Sequence, residues 1–169
     1  MDQSTQLRAD NNQLQKSYQL MQSGKRIVFI QAAWHSDIVD QSRLSFIREC
    51  GDLGIDESSI DYLEVPGSLE LPLQAKLLAK TGRYAIIIAA GLIVDGGIYR
   101  HDFVASTVLD ALMKIQIDLE VPILSLVLTP HHFQETLAHE NFFFEHFKLK
   151  GSEAAKACAI TLKNLEFTL

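Results

Sequence analysis

The run YAIIIAAG, from Tyr84 to Gly91, limits the fold more than any other stretch of the chain. A strand with one face in water alternates polar and apolar side chains. This one is apolar at successive positions, so both of its faces must be buried. Such strands belong to parallel sheets covered by helices, and the neighbouring segments are read with that in mind.

They alternate as that layout requires. RIVFIQAA is short, apolar and β-branched, as a strand should be. In SDIVDQSRLSFIRECGDLG, Val39, Phe46, Ile47 and Cys50 fall on one side of a helix that Ser36 or Asp37 can cap. SIDYLEV forms a second strand, stopped by Pro66-Gly67. SLELPLQAKLLAKTG follows as a helix, with Ser68 as its cap, Pro72 in its first turn and Gly82 at its end. After the YAIIIAAG strand, a third helix carries Val104, Val108, Ala111, Leu112, Ile115 and Leu119 at helical spacing. Pro122 opens the strand ILSLVLT. From about Phe133 the chain reads as helical, and its last part aligns Ala155, Cys158, Leu162 and Leu165. The pattern predicts an α/β fold, a three-layer sandwich with a parallel sheet flanked by helices, as one domain over residues 25–169. Residues 1–24 are polar and rich in Gln and Asn, and are expected to form a mobile extension.

Composition narrows the function. The 169 residues carry a net charge of −6 and no Lys or Arg block, which argues against a nucleic-acid or anionic-membrane surface. The N-terminal stretch lacks the apolar core of a signal peptide, and charges or turn residues interrupt every later apolar run, so the expected location is cytoplasmic. Cys50 and Cys158 sit in helical patterns and read as small buried apolar residues, not as a disulfide or metal pair.

In a parallel sheet of this kind, ligands bind beyond the carboxyl ends of the strands. The unusual residues of this chain gather there, in AAWHSD, VPGSLE, GLIVDGGIYRHD and TPHHFQE. Trp34 is the single tryptophan, and it is either a core aromatic or a platform for a flat heterocycle. His35 either caps the next helix or points into the site, and capping is the simpler role. Gly67, Ser68 and Glu70 stand where free N–H groups suit polar or anionic ligand groups. Gly96-Gly97 permits close backbone approach, Arg100 can pair with phosphate, and His101 can move a proton near neutral pH. Asp102 is read mainly as a helix cap. His131, His132, His139 and His146 lack a companion set of carboxylates or thiolates, so no catalytic metal is expected. Phe133, Phe142, Phe143, Phe144 and Phe147 present more aromatic surface than one short helical segment easily buries, which points to a subunit interface.

VPGSLELP, Val65 to Pro72, resembles the lumazine synthase signature V-P-G-[AS]-x-E-[IL]-P. The resemblance extends from about Arg26 to the end, and WHSDIVD, DGGIYRHDFVA and LTPHHF are similar to the divergent branch of the family that forms decamers. It implies a flavodoxin-like sandwich and a cofactor-independent transferase of riboflavin biosynthesis. That enzyme condenses 5-amino-6-(D-ribitylamino)uracil with 3,4-dihydroxy-2-butanone 4-phosphate to give 6,7-dimethyl-8-ribityllumazine. The resemblance further implies sites shared between subunits of a homodecamer built from two pentamers. Trp34 would stack on the pyrimidine, and Ser68, Leu69 and Glu70 would contact the ribityl chain and nearby polar groups. Leu92, Ile93 and Val94 would hold the ring edge through backbone groups, and Gly97 and Ile98 would offer N–H groups to phosphate. Ser125 aligns with an aromatic residue that a neighbouring subunit supplies, and His139 with a phosphate-binding arginine. The family's proton-transfer histidine aligns with Arg100, while His101 lies one residue later. These departures predict weaker binding or slower turnover than the family norm. They also support one alternative, a lumazine- or flavin-binding scaffold with little activity. A flavodoxin-like signalling or nucleotide-binding domain is the other, and Trp34, Gly96-Gly97 and Arg100 speak against it.

Overall fold

The structure, a computed structural model, describes residues 23–166. Nearly all of the expected N-terminal extension lies outside the described residues. The elements run β1 (Arg26–Ala32), α1 (Ser36–Asp52), β2 (Ile60–Val65), α2 (Leu71–Lys80), β3 (Tyr84–Leu92), α3 (His101–Leu119), β4 (Ile123–Leu128) and α4 (Leu137–Leu165). The four strands form one parallel sheet in the order β2-β1-β3-β4. Every residue of β3 is buried, as its unbroken apolar run requires.

Side chains alternate across the sheet and divide the core in two. Ile27 and Phe29 of β1 and Ile86 and Ile88 of β3 pack with Phe46 and Cys50 of α1 and with Phe147, Cys158 and Leu162 of α4. Val28, Ile30, Ile87 and Ala89 face Leu71 and Ala75 of α2 and Val108 and Leu112 of α3. The fold is thus the expected α/β three-layer sandwich. On the first face α4 crosses α1 closely, and a Cβ at Gly151 would collide with the Ser42 carbonyl and the Ser45 hydroxyl. Both cysteines are buried and free in this layer, and burial pushes the Cys50 thiol up to about 12.

A polar clamp closes the amino-terminal end of the sheet. Asp61 of β2 accepts hydrogen bonds from the Arg26 guanidinium at 2.8 and 2.6 Å and from the Tyr84 hydroxyl at 2.9 Å, so three neighbouring strands meet at one carboxylate.

The helix starts differ from the sequence reading. Of the three cap candidates for α1, His35 holds the position and Ser36 and Asp37 do not; it lies in the left-handed region at φ 55° and its side chain makes no capping bond. Its carbonyl accepts the Ile38 and Val39 N–H groups. Ser68 opens a short 3₁₀ turn, Ser68–Glu70, and does not cap α2. Arg100, not Asp102, occupies the cap position of α3. The last helix begins at Leu137 and not near Phe133, and the Thr136 side chain accepts the His139 N–H there. The phenylalanines divide: Phe133, Phe143 and Phe147 close the core, while Phe142 is exposed.

Candidate active site

The strand order reverses between β1 and β3, and a sheet of this kind binds ligands beyond the carboxyl ends of its strands at such a point. The loop after β1 carries Trp34, which is 69% exposed although it follows a buried strand. A core aromatic would not be left in water, so the exposed ring suits a platform. His35 beside it turns its ring edge-on to Phe133, with centroids 5.5 Å apart. The helix-capping role falls to its backbone.

The loop after β2 is tied to β1 by the Ala33 N–H, which donates to the Val65 carbonyl at 2.9 Å. This sets Pro66 to Glu70 beside Trp34's loop. Ser68 leans over toward β3, where the missing side chain of Gly91 makes room for its hydroxyl. The Glu70 carboxylate folds back to 3.1 Å from where a Cβ on Gly67 would stand. Leu69 is exposed.

Leu92, the last residue of β3, and Ile93 after it stay buried, and the Ile93 N–H donates to the Leu128 carbonyl. The chain then emerges, and Asp95 to Arg100 are all exposed. Gly97 adopts φ 71°, a conformation glycine enters without strain. Its N–H donates to the Asp95 carboxylate at 3.1 Å. Arg100 lies over the Phe103 ring, 3.8 Å from its centroid, and donates to Asp102 at 2.9 Å. That guanidinium, helped by N–H groups of the first turn of α3, holds the Asp102 carboxyl below its usual range. His101 is the half-buried first residue of α3.

One chain therefore gathers Trp34, Ser68, Leu69, Glu70, Leu92, Ile93, Val94, Gly97, Ile98, Arg100 and His101 on the strand end, loops and helix start at one end of the sheet. Ser125 and His139 are separate. Ser125 lies within the edge strand β4, in register with Ala89 and short of the strand's end, and is exposed. His139 sits in the first turn of α4, where its Nδ1 accepts the Gln134 N–H at 3.1 Å and its ring edge meets Phe133. Among the described residues no three His, Cys, Asp or Glu side chains converge as a metal-ligand set. Two features escaped the sequence reading: the Asp95 contact to Gly97 and the relief that Gly91 gives Ser68. The Asp-Gly-Gly tripeptide was a legible signal for the first, since an aspartate readily bonds the backbone two residues on.

Comparison with known proteins decides the lineage. The family model described as 6,7-dimethyl-8-ribityllumazine synthase matches residues 24–166. The chain belongs to the lumazine synthase family. It is 59% identical over 141 residues to 6,7-dimethyl-8-ribityllumazine synthase 2 of Pseudomonas syringae pv. tomato, covering 83% of each chain. It is 55% identical over 143 residues to 6,7-dimethyl-8-ribityllumazine synthase of Rhodococcus erythropolis, covering 85% of this chain and 92% of that one. A Bradyrhizobium diazoefficiens protein, 6,7-dimethyl-8-ribityllumazine synthase 2, is 54% identical over 142 residues, with 84% and 85% covered. Every loop described above lies within the span matched to the lumazine synthase family.

Proposed function

We propose that this lumazine synthase family member condenses 5-amino-6-(D-ribitylamino)uracil with 3,4-dihydroxy-2-butanone 4-phosphate, releasing 6,7-dimethyl-8-ribityllumazine, phosphate and water in riboflavin biosynthesis. The observation that carries the reading is the exposed Trp34 ring beside the Ser68–Glu70 turn and the Gly97 loop, in a chain matched to the family along nearly its whole described length. Trp34 stacks on the pyrimidine. Ser68, Leu69 and Glu70 receive the ribityl chain, and the backbone of Leu92, Ile93 and Val94 holds the ring edge. The Gly97 and Ile98 N–H groups and the Arg100 guanidinium take the phosphate. His101 accepts and returns protons, because arginine stays charged and cannot.

The reaction needs a Schiff base between amine and ketone, loss of phosphate and ring closure. Most of its acceleration comes from holding two substrates in register. No cofactor is needed, as the family resemblance implies. A cytoplasmic location accompanies this reading.

The site is completed by a second copy of the chain, in a homodecamer of two pentamers. Ser125 and His139 would then serve the neighbour's site. Exposed apolar side chains support assembly: Leu73 and Leu77 on α2, Met113 and Ile117 on α3, and Ile98, Tyr99 and Phe103 around the glycine loop. Incubating the purified chain with both substrates should give lumazine fluorescence that depends on each. Flavin or lumazine binding without product would favour the scaffold reading. Light scattering should give ten times the 18.9 kDa chain mass. A monomer would end the shared-site mechanism.

A further inference from the structure

The Gly97 N–H, which the reading above assigns to phosphate, already has an anionic partner. Asp95 Oδ1 accepts it at 3.1 Å, across the left-handed turn at Gly97. Both residues are exposed, so the carboxylate can rotate into water without leaving a buried group unpaired. The nearby cation does not draw Asp95 away, because Arg100 is paired with Asp102. A carboxylate and a phosphate monoester cannot share one donor, since their oxygens would meet at like-charge contact.

We infer that Asp95 is an internal stand-in for the substrate phosphate, occupying the Gly97 N–H until the phosphorylated substrate displaces it. The inference rests on the reading of the Gly96–Arg100 loop as the phosphate site. Binding is then an exchange of one anion for another. The turn stays formed when the site is vacant, so phosphate meets a preorganised loop. The same carboxylate recaptures the N–H as inorganic phosphate departs. Asp95 thereby lowers affinity for every anion at this loop and limits inhibition by the phosphate product. It is a positioning residue and takes no part in the bond changes.

Asp95→Asn separates charge from geometry, because the asparagine carbonyl can still accept the Gly97 N–H. Inorganic phosphate is titrated calorimetrically into the full-length protein as wild type, Asp95→Asn, Arg100→Ala and Asp118→Asn. Asp118 pairs with Lys114 at the far end of α3, so its variant controls for net charge alone. Removing a like charge at this range should tighten phosphate binding by about fivefold in Asp95→Asn and leave Asp118→Asn at the wild-type value. Product inhibition by phosphate should strengthen in parallel in Asp95→Asn. If Arg100→Ala weakens binding while Asp95→Asn binds no tighter than wild type, the stand-in role is overturned and the phosphate loop survives. Equal tightening in Asp118→Asn overturns it too, by reducing the effect to net charge. Identical phosphate binding in all four proteins, or none in any, overturns the stand-in and the phosphate loop together.

Discussion

The Ser68 hydroxyl fills the space that a side chain on Gly91 would need. A Cβ at Gly91 would stand 2.7 Å from Ser68 Oγ, closer than such atoms pack, and 3.4 Å from the Ala32 Cβ. Gly91→Ala should therefore turn the Ser68 side chain away. Overpacking of this kind costs about 1–3 kcal/mol. Affinity for a ribitylaminouracil analogue should fall in a calorimetric titration. Unchanged affinity would show that Ser68 does not need this position to bind the ribityl chain.

Trp34→Ala should separate binding from folding. The ring is exposed, so its loss leaves the core and the melting temperature nearly unchanged. Stacking contributes on the order of 1 kcal/mol beyond area alone, and that should disappear from analogue binding. Equal affinity for the two proteins would remove Trp34 as the platform.

Arg100 and His101 are adjacent, yet their variants should fail differently. Arg100→Ala loses a charge-assisted contact, typically ~1.5–3 kcal/mol, and should raise KM for the butanone phosphate. His101→Ala should leave KM near normal and lower kcat by roughly 100-fold. Steady-state kinetics with each substrate varied in turn checks both. Wild-type behaviour in both variants would move the phosphate and proton chemistry to another loop.

Acid should weaken the clamp at the far end of the sheet. The Arg26 guanidinium hydrogen-bonded to Asp61 holds this carboxyl below its usual range, aided by Tyr84 and Arg83 and opposed by burial. A depressed carboxyl contributes stability that is fully present above its unfolded value of about 3.9 and is lost as pH falls through the folded value. Asp61→Asn should lower the denaturant midpoint at pH 7, and its gap from wild type should narrow below about pH 4. A gap that stays constant with pH would mean that the carboxylate charge does not stabilise the fold.

Gly151→Ala should be among the most damaging small substitutions in the described chain. Its Cβ would enter the Ser42 backbone, which cannot rotate aside, so α4 must lift from α1. A cost of about 3 kcal/mol or more is expected in chemical denaturation. The loops proposed to bind substrate lie beyond this contact, so KM should change little in whatever fraction folds.

Much of this was legible in the residues. The β3 run predicted burial on both faces, and the stripe Ala155, Cys158, Leu162 and Leu165 predicted the inner side of α4, where the first three are buried and Leu165 is half-buried. The helix starts were less legible because they depend on backbone angles that periodicity does not encode. Nothing in WHSD announces a left-handed His35, and SLELP suits a capped α-helix as well as the 3₁₀ turn it forms. Three of the five phenylalanines between Phe133 and Phe147 turn inward because the segment before Leu137 is a loop that folds Phe133 against Phe143. Ser125 and His139 lay beyond sequence physics for another reason. Each is placed by its own element, Ser125 on an edge strand and His139 against Gln134, and only the family resemblance ties either to a substrate.

The parallel sheet separates two kinds of tolerance to change. The Asp61 clamp joins three strands at one end, while Trp34, Ser68 and Gly97 occupy loops at the other. In a riboflavin auxotroph complemented by this gene, random mutations should fall into two phenotypes. Lesions around Arg26, Asp61 and Tyr84 should be temperature-sensitive and suppressible by growth in the cold, because they reduce the amount of folded enzyme. Lesions in the loops proposed to bind substrate should persist at every temperature with protein levels unchanged. The clamped end thus sets how much of the chain is folded, while the loops at the other end can change without unfolding it.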